Sequence, residues 1–216
     1  MSPMSPAALL MDYGGVLTER MDLVNARFCA GLGIDSEAFG QILAEWAARP
    51  DLDSPSHALE RGELSVAAFE ELLAARLRRP DSAPVRAEGL VRRMFAETEW
   101  DEQTFALVAE IRARGVRTAL VSNAWGTDYP LERLRSCFDE LVFSNQVRLR
   151  KPDPRIYLYA SRALGVPPSR CLFVDDRAAN VAGAIEAGMS ALHFADPSTG
   201  RQRLRELFAG LSMNRP

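Results

Sequence analysis

Ala8–Met11 are four consecutive apolar residues, and they run straight into Asp12, Tyr13 and the pair Gly14-Gly15. An apolar run without polar alternation, closed by glycines, is the pattern of a buried strand that ends at a sharp turn. It puts a carboxylate at the carboxyl end of a strand, the edge on which open α/β sheets bind ligands. An Asp there also serves as an ordinary turn residue, so its meaning depends on what the rest of the chain brings to the same edge.

From Met21 to Ala96 the strand pattern is lost. Leu23, Val24, Phe28 and Leu32 precede Gly33, and Ser36 opens a second helix over Ala38–Ala47 with Phe39, Ile42, Leu43 and Trp46 on one face. Ser65 is the expected N-cap of a helix carrying Phe69, Leu72, Leu73 and Leu77, stopped by Pro80. Stripes of this kind bury against one another, so residues 19–96 are expected to form a helical cap inserted after one strand.

After Asp101 helix and strand alternate. A helix to Arg114, closed by Gly115, leads to a strand over Arg117–Val121 that ends at Ser122-Asn123. Glu140–Phe143 reads as a strand, Pro154–Leu164 as a helix ended by Gly165, and Cys171–Val174 as an apolar strand ending at Asp175-Asp176. A helix over Val181–Ala187, a strand over Ala191–Phe194 and a helix opened by Ser198 follow. This alternation predicts right-handed crossovers and a mostly parallel sheet. The expected fold class is α/β: a Rossmann-like three-layer α/β/α core from residues 1–18 and 97–216, interrupted by the cap.

Parallel strands present their carboxyl ends on one edge, so Asp12, Ser122 and Asp175-Asp176 should converge, with Lys151 reaching the same edge from just before the helix at Pro154. Carboxylates and backbone oxygens suit a hard cation such as Mg²⁺ that also engages phosphate. A Ser hydroxyl, backbone N–H groups and a Lys suit the remaining phosphate oxygens.

Composition narrows the partners. Lys and Arg number 26 against 29 Asp and Glu, for a net charge of −3, and the arginine runs are spread at helical spacing, which argues against a nucleic-acid partner. Cys29, Cys137 and Cys171 form no Cys-x-x-Cys pair, so neither a disulfide framework nor a zinc site is indicated and reduced thiols are expected. No apolar run approaches the ~18 residues of a membrane span, and the residues before Asp12 lack the cationic start of an export signal. The expected compartment is the cytoplasm.

Four stretches then match one family in order and spacing: Asp12-Tyr13-Gly14-Gly15-Val16-Leu17, Val121-Ser122-Asn123, Arg150-Lys151-Pro152-Asp153-Pro154 and Phe173-Val174-Asp175-Asp176 through Asn180-Val181. Together they resemble the motifs of the haloacid dehalogenase-like hydrolase superfamily, and the helical insert falls where that superfamily places its C1-type cap. The chain looks most like the small-molecule phosphatases of the superfamily. The resemblance implies a phosphorylated small-molecule substrate, Mg²⁺ as cofactor, and Asp12 as the nucleophile that forms an aspartyl-phosphate. It further implies that Ser122, with the Asn123 backbone, binds phosphoryl oxygens, and that Lys151 orients Asp12 and neutralises charge. Asp176 becomes a metal ligand, Asp175 a ligand or its support, Gly14 a ligand through its carbonyl, and Asn180 a support of the acidic loop.

Gly14 departs from the pattern, because most phosphatases of the superfamily carry there an Asp that protonates the leaving group. That departure keeps two alternatives open: a 2-haloacid dehalogenase-type hydrolase, which uses the same nucleophile on carbon, and a catalytically weak or inactive ligand-binding or regulatory member. Among the remaining candidates, Thr18, Glu19 and Arg20 are expected as an exposed hinge, although Glu19 is also placed to replace the missing acid. Trp125 reads equally as packing and as cavity lining. Arg177 is expected at the surface, and His57 and His193 as structural residues.

Overall fold

Strand β1 (Ala8–Met11) has neighbours on both sides and helices on both faces, which is why it carries no polar residue; all four of its residues are fully buried. It lies at the centre of a five-stranded sheet with β2 (Arg117–Ser122), β3 (Glu140–Phe143), β4 (Cys171–Asp175) and β5 (Ser190–His193), in the order β3-β2-β1-β4-β5, every pairing parallel. These facts come from a computed structural model that describes residues 6–49, 54–81, 83–96, 98–126 and 128–209. The chain fills the sheet outward from β1 through β2 to β3, then crosses back to place β4 on the other side of β1. The strand order therefore reverses at β1 and β4, and such a switch point opens a crevice at the carboxyl ends of the strands.

Alternate strand residues feed two cores, as a period of two requires. Leu9, Met11, Leu120, Leu172 and Val174 pack with α6 (Glu102–Ala113), α7 (Leu131–Cys137) and α11 (Pro197–Phe208) on one face. On the other, Ala8, Leu10, Ala119, Val121 and Phe173 pack with α9 (Pro154–Leu164) and α10 (Ala178–Glu186). This is the three-layer α/β/α core expected from the sequence.

Between β1 and α6 lie α1 (Met21–Leu32), α2 (Ser36–Ala48), α3 (Pro55–Glu60), α4 (Val66–Arg76) and α5 (Leu90–Phe95), with a hydrophobic cluster of their own built on Phe28, Phe39, Trp46, Phe69 and Leu73. The two chain crossings to this helical layer run side by side. Thr18 and Trp100 form an antiparallel bridge, and the Glu19 N–H donates to Glu99 O at 2.9 Å. Position 97, where the sequence marks the return to the core, lies outside the described residues.

Several local expectations shift. Asp35 and Asp196, not Ser36 and Ser198, cap α2 and α11, each accepting from backbone N–H groups of the first turn; a carboxylate there also meets the positive end of the helix dipole. The Ser65 cap stands, with its hydroxyl accepting from Ala68 N–H at 3.2 Å, but α4 ends at Arg76, before Pro80. Strand β5 begins and ends one residue earlier than the apolar run suggested, and Phe194 turns into the core against Gly200. Helices α3, α5, α7 and α8 (Ser144–Val147) carry no signal in the sequence: at four to seven residues each, they are too short to show a period. No helix among the described residues is long and apolar enough to cross a membrane.

Candidate active site

The four motif stretches meet at the switch-point crevice. Asp12 sits one residue past β1, and Asp175 ends β4 one strand away. Lys151, 1% exposed, bridges them: its Nζ donates to Asp12 Oδ1 at 2.6 Å and to Asp175 Oδ2 at 2.7 Å. Asp175 has both oxygens engaged, since Asn180 Nδ2 donates to each at 3.0 Å and the Arg177 N–H donates to Oδ1 at 2.8 Å. That leaves Asp12 and Asp176 as the carboxylates turned to the cavity.

Electrostatically the cluster is overloaded with negative charge. Burial pushes Asp12 well above the ordinary carboxylate range, against the pull of Lys151 and helped by the neighbouring Asp175 and Asp176 charges. Burial and Asp175 likewise raise Asp176 to about 6. Burial alone would lower Lys151, but the Asp12 and Asp175 charges outweigh it and hold the ammonium above its usual pKa. Oxygen atoms of Asp12, Asp175 and Asp176 all lie within 4.8 Å of one another. Asp12 and the half-buried Asp176, turned to the cavity with Asp175 behind them and a single ammonium among the three, fit a divalent cation such as Mg²⁺, whose charge would relieve their mutual repulsion.

The turn after β1 is shaped for this cluster. Gly15 has φ 77°, and a Cβ there would lie 2.5 Å from Asp176 Oδ2, so only glycine lets Asp176 approach. Its N–H donates to Thr18 Oγ1 at 3.1 Å. Contrary to the hinge expectation, Thr18 is buried, and Glu19 is spent on an ion pair with Arg27 and on accepting the Glu99 N–H at 2.7 Å. Glu19 is thus tied to the chain crossing and cannot replace an acid at position 14.

Residues 6–188 match the family model of haloacid dehalogenase-like hydrolases. The chain belongs to that family. Among curated relatives, the hydrolase is 44% identical over 64 residues to the chloroplast flavin mononucleotide hydrolase 1 of Arabidopsis thaliana, a match covering 30% of this chain and 26% of that one. It is 36% identical over 81 residues to the (S)-2-haloacid dehalogenase of Pseudomonas sp. strain YL, covering 35% and 34%. Its matches span between 10% and 57% of the length of such relatives. A HAD family enzyme of Bacteroides thetaiotaomicron, solved with magnesium and inorganic phosphate, superposes with a TM-score of 0.62 over 87% of this chain and 93% of that one at 21% identity, a likeness of fold.

The site of the hydrolase opens into a cavity of about 1530 Å³ between the sheet edge and the helical layer. Asp12, Gly14, Ser122, Asn123, Lys151 and Asp176 all line it. Ser122 is buried, with its hydroxyl hydrogen-bonded to that of Tyr129 at 3.2 Å. Asn123 presents its side chain elsewhere: Oδ1 accepts from Lys151 N–H at 2.8 Å and Nδ2 donates to Lys151 O at 3.0 Å, clamping that peptide. Trp125 does both things read for it, lining the cavity while packing edge-on to Phe69 with ring centres 5.0 Å apart. Arg177 is exposed at the rim. His193 is structural in that its Nε2 bonds to Asp176 O at 2.8 Å, while His57 is buried and lines the cavity. Two residues escaped the sequence reading: Tyr129, in a segment without periodicity, and Glu60, a helix-end carboxylate that is 5% exposed.

Proposed function

We propose that this hydrolase is a Mg²⁺-dependent phosphatase of small phosphorylated molecules, working through an aspartyl-phosphate on Asp12. The observation that carries the reading is the buried Asp12–Lys151–Asp175–Asp176 cluster at the floor of the cavity, with more negative charge than one ammonium balances. A haloacid dehalogenase reaction needs the nucleophile but has no use for this acidic surplus. Relatives named as a flavin mononucleotide hydrolase, a sesquiterpene phosphatase and a phosphorylated carbohydrates phosphatase support the reading.

Asp12 and Asp176, with the Gly14 carbonyl, would hold Mg²⁺, and Asp175 would keep Lys151 and the acidic loop in place. The bound cation would supply charge neutralisation at the phosphoryl oxygens. Lys151 fixes Asp12 Oδ1, so the other carboxylate oxygen is the one aimed at phosphorus. Attack by Asp12 forms the acyl phosphate as the P–O bond to the leaving group breaks; water then attacks phosphorus and restores the carboxylate. Ser122 and backbone N–H groups would hold the phosphoryl oxygens as charge develops. Residues 19–96 act as the cap that closes over the substrate and excludes water. Since position 14 offers no proton, esters with good leaving groups should turn over fastest.

The test is phosphate release from p-nitrophenyl phosphate and from a panel of sugar, nucleotide and acid phosphates, with Mg²⁺ and with EDTA, beside Asp12→Asn. Metal-dependent release that disappears in Asp12→Asn is the expected result. Halide release from 2-haloacids without phosphate release would replace this reading with the dehalogenase one.

A further inference from the structure

Glu60 is an oddity of the helical layer. It ends α3, next to Leu59 of the layer's own core, and it is buried; among the described residues, every hydrogen bond to its carboxylate comes from the sheet side. Oε2 accepts from Arg150 Nε at 2.6 Å and from Asn123 Nδ2 at 3.2 Å; Oε1 accepts from Trp125 Nε1 at 3.1 Å. These donors come from two different loops, the one that follows β2 and the one that precedes α9.

Both loops lead to Lys151. Arg150 is its neighbour in sequence, and Asn123 grips the Lys151 peptide on its N–H and its carbonyl. The turn after Glu60 is pressed onto the same region. Gly62 has φ 67°, and a Cβ there would lie 2.5 Å from Asn145 O. Asn145 is in turn bonded through Nδ2 to Gly126 O at 3.2 Å, and Ser144 Oγ accepts from Ala124 N–H at 2.8 Å. The segment from Glu60 to Gly62 therefore seats on loops that are already stapled to one another.

We propose that Glu60 is a positioning residue of the active site: by gathering Asn123, Trp125 and Arg150 it fixes the Lys151 peptide, and so makes the position of the ammonium depend on the cap being seated. A buried carboxylate that accepts three donors, one of them a guanidinium, holds its geometry tightly. When the cap lifts, Arg150 and Asn123 lose that acceptor together, and the clamp on the Lys151 peptide loses the contact that joins it to Arg150. The nucleophile is then aligned only when the cavity is closed.

The kinetic part of this inference rests on the phosphatase reading, so the experiment has an arm that does not. Hydrogen exchange of the intact protein reads the Lys151 amide, which Asn123 Oδ1 accepts. In Glu60→Ala that amide should exchange about tenfold or more faster while β1 amides keep their protection. Glu60→Gln, which keeps the shape and an acceptor for Trp125, should fall between. In turnover of p-nitrophenyl phosphate, kcat should drop about tenfold or more in Glu60→Ala with KM within about threefold. Lys151 exchange unchanged in both variants overturns the proposal, as does a rise in KM at constant kcat, which would make Glu60 a substrate contact. Loss of protection throughout the sheet in both variants would make its role one of general stability, and overturns it too. If the wild type releases no phosphate, the exchange arm alone decides, and the phosphatase reading fails separately.

Discussion

On the sheet side of the cavity, Asp12, Lys151, Asp175 and Asn180 are buried ionic and polar groups held by one another. On the helical side, Phe28, Phe39, Trp46, Phe69 and Leu73 form an ordinary apolar core, and the ion pair of Arg76 with Glu45 at its surface is open to solvent. The sheet side spends stability to hold charges close together, whereas the helical side gains stability by burying aromatic rings. That contrast supports the proposed placement of the chemistry at the sheet edge, where strand register fixes positions, with the helical layer as the proposed cap above it.

The largest effect should come from breaking the sheet-side network. Lys151→Met removes the ammonium from between Asp12 and Asp175 and leaves buried carboxylates unpaired, which should cost about 3–5 kcal/mol in urea unfolding. Arg76→Met on the helical side should leave the unfolding midpoint where it was, because the pair with Glu45 is exposed. Equal losses in the two variants would erase the contrast.

The helical core can be probed in the same units. Phe69 is fully buried and packs edge-on against Trp46 and Trp125; Phe69→Ala should cost about 3 kcal/mol. If the two cores are separate, hydrogen exchange should quicken in α1–α5 and leave β1 and β4 protected. Loss of protection in the sheet as well would show that Trp125, which reaches from the sheet side into the helical cluster, couples the two cores more strongly than their division implies.

Which of these features can be read from the chain follows the same contrast. Strands β1 and β4 were legible because burial on both faces demands unbroken apolar residues, β2 by its apolar stretch Ala119–Val121, and their ends named Asp12, Ser122 and Asp175-Asp176. Lys151 was placed at the same edge by its position just before the helix at Pro154, and only its role came from the resemblance. Glu60 was not legible: in sequence a Glu near the end of a short helix looks solvated, and only the packing of α3 onto the loops at Asn123 and Arg150 reveals its partners. Asn123 was read for its backbone, and its side-chain clamp on Lys151 depends on two loops whose approach no local pattern encodes.

Proton linkage offers a smaller test. With Asp12 raised and Asp176 at about 6, the folded protein holds protons that the unfolded chain, titrating near 4, has released. Without metal, this cluster favours folding most at low pH, and its contribution declines as pH rises from about 4 through about 7, where Asp12 releases its proton. Mg²⁺ at the proposed site would compete with those protons. Its stabilisation, about 2.7 kcal/mol at a hundredfold excess over Kd, should be fully developed near pH 8 and smaller near pH 5. Thermal unfolding with Mg²⁺ and with EDTA at both pH values reads this directly, and an Mg²⁺ shift of equal size at both would remove the acidic cluster as its cause.

The smallest effect concerns the one position at which the sheet edge lacks a side chain that related phosphatases carry. A Cβ built on Gly14 meets only Met21, at 3.1 Å from Sδ and 3.4 Å from Cγ, the far end of a flexible side chain. Gly14 does not have the left-handed backbone of Gly15, and Met21 can turn aside. Gly14→Asp should therefore fold, and Gly14→Asp with Met21→Ala should fold with more room. A carboxyl group at this point lines the cavity beside Asp12 and, in its protonated form, can give its proton to a departing alkoxide, so turnover of alkyl phosphates should rise about tenfold, near 1.4 kcal/mol of barrier. p-Nitrophenyl phosphate should gain little, because its leaving group departs without a proton. An equal gain on both substrates would point to altered binding at the turn instead. No gain on either, with both variants folded, would show that proton delivery does not limit this site and that Gly14 costs the enzyme nothing.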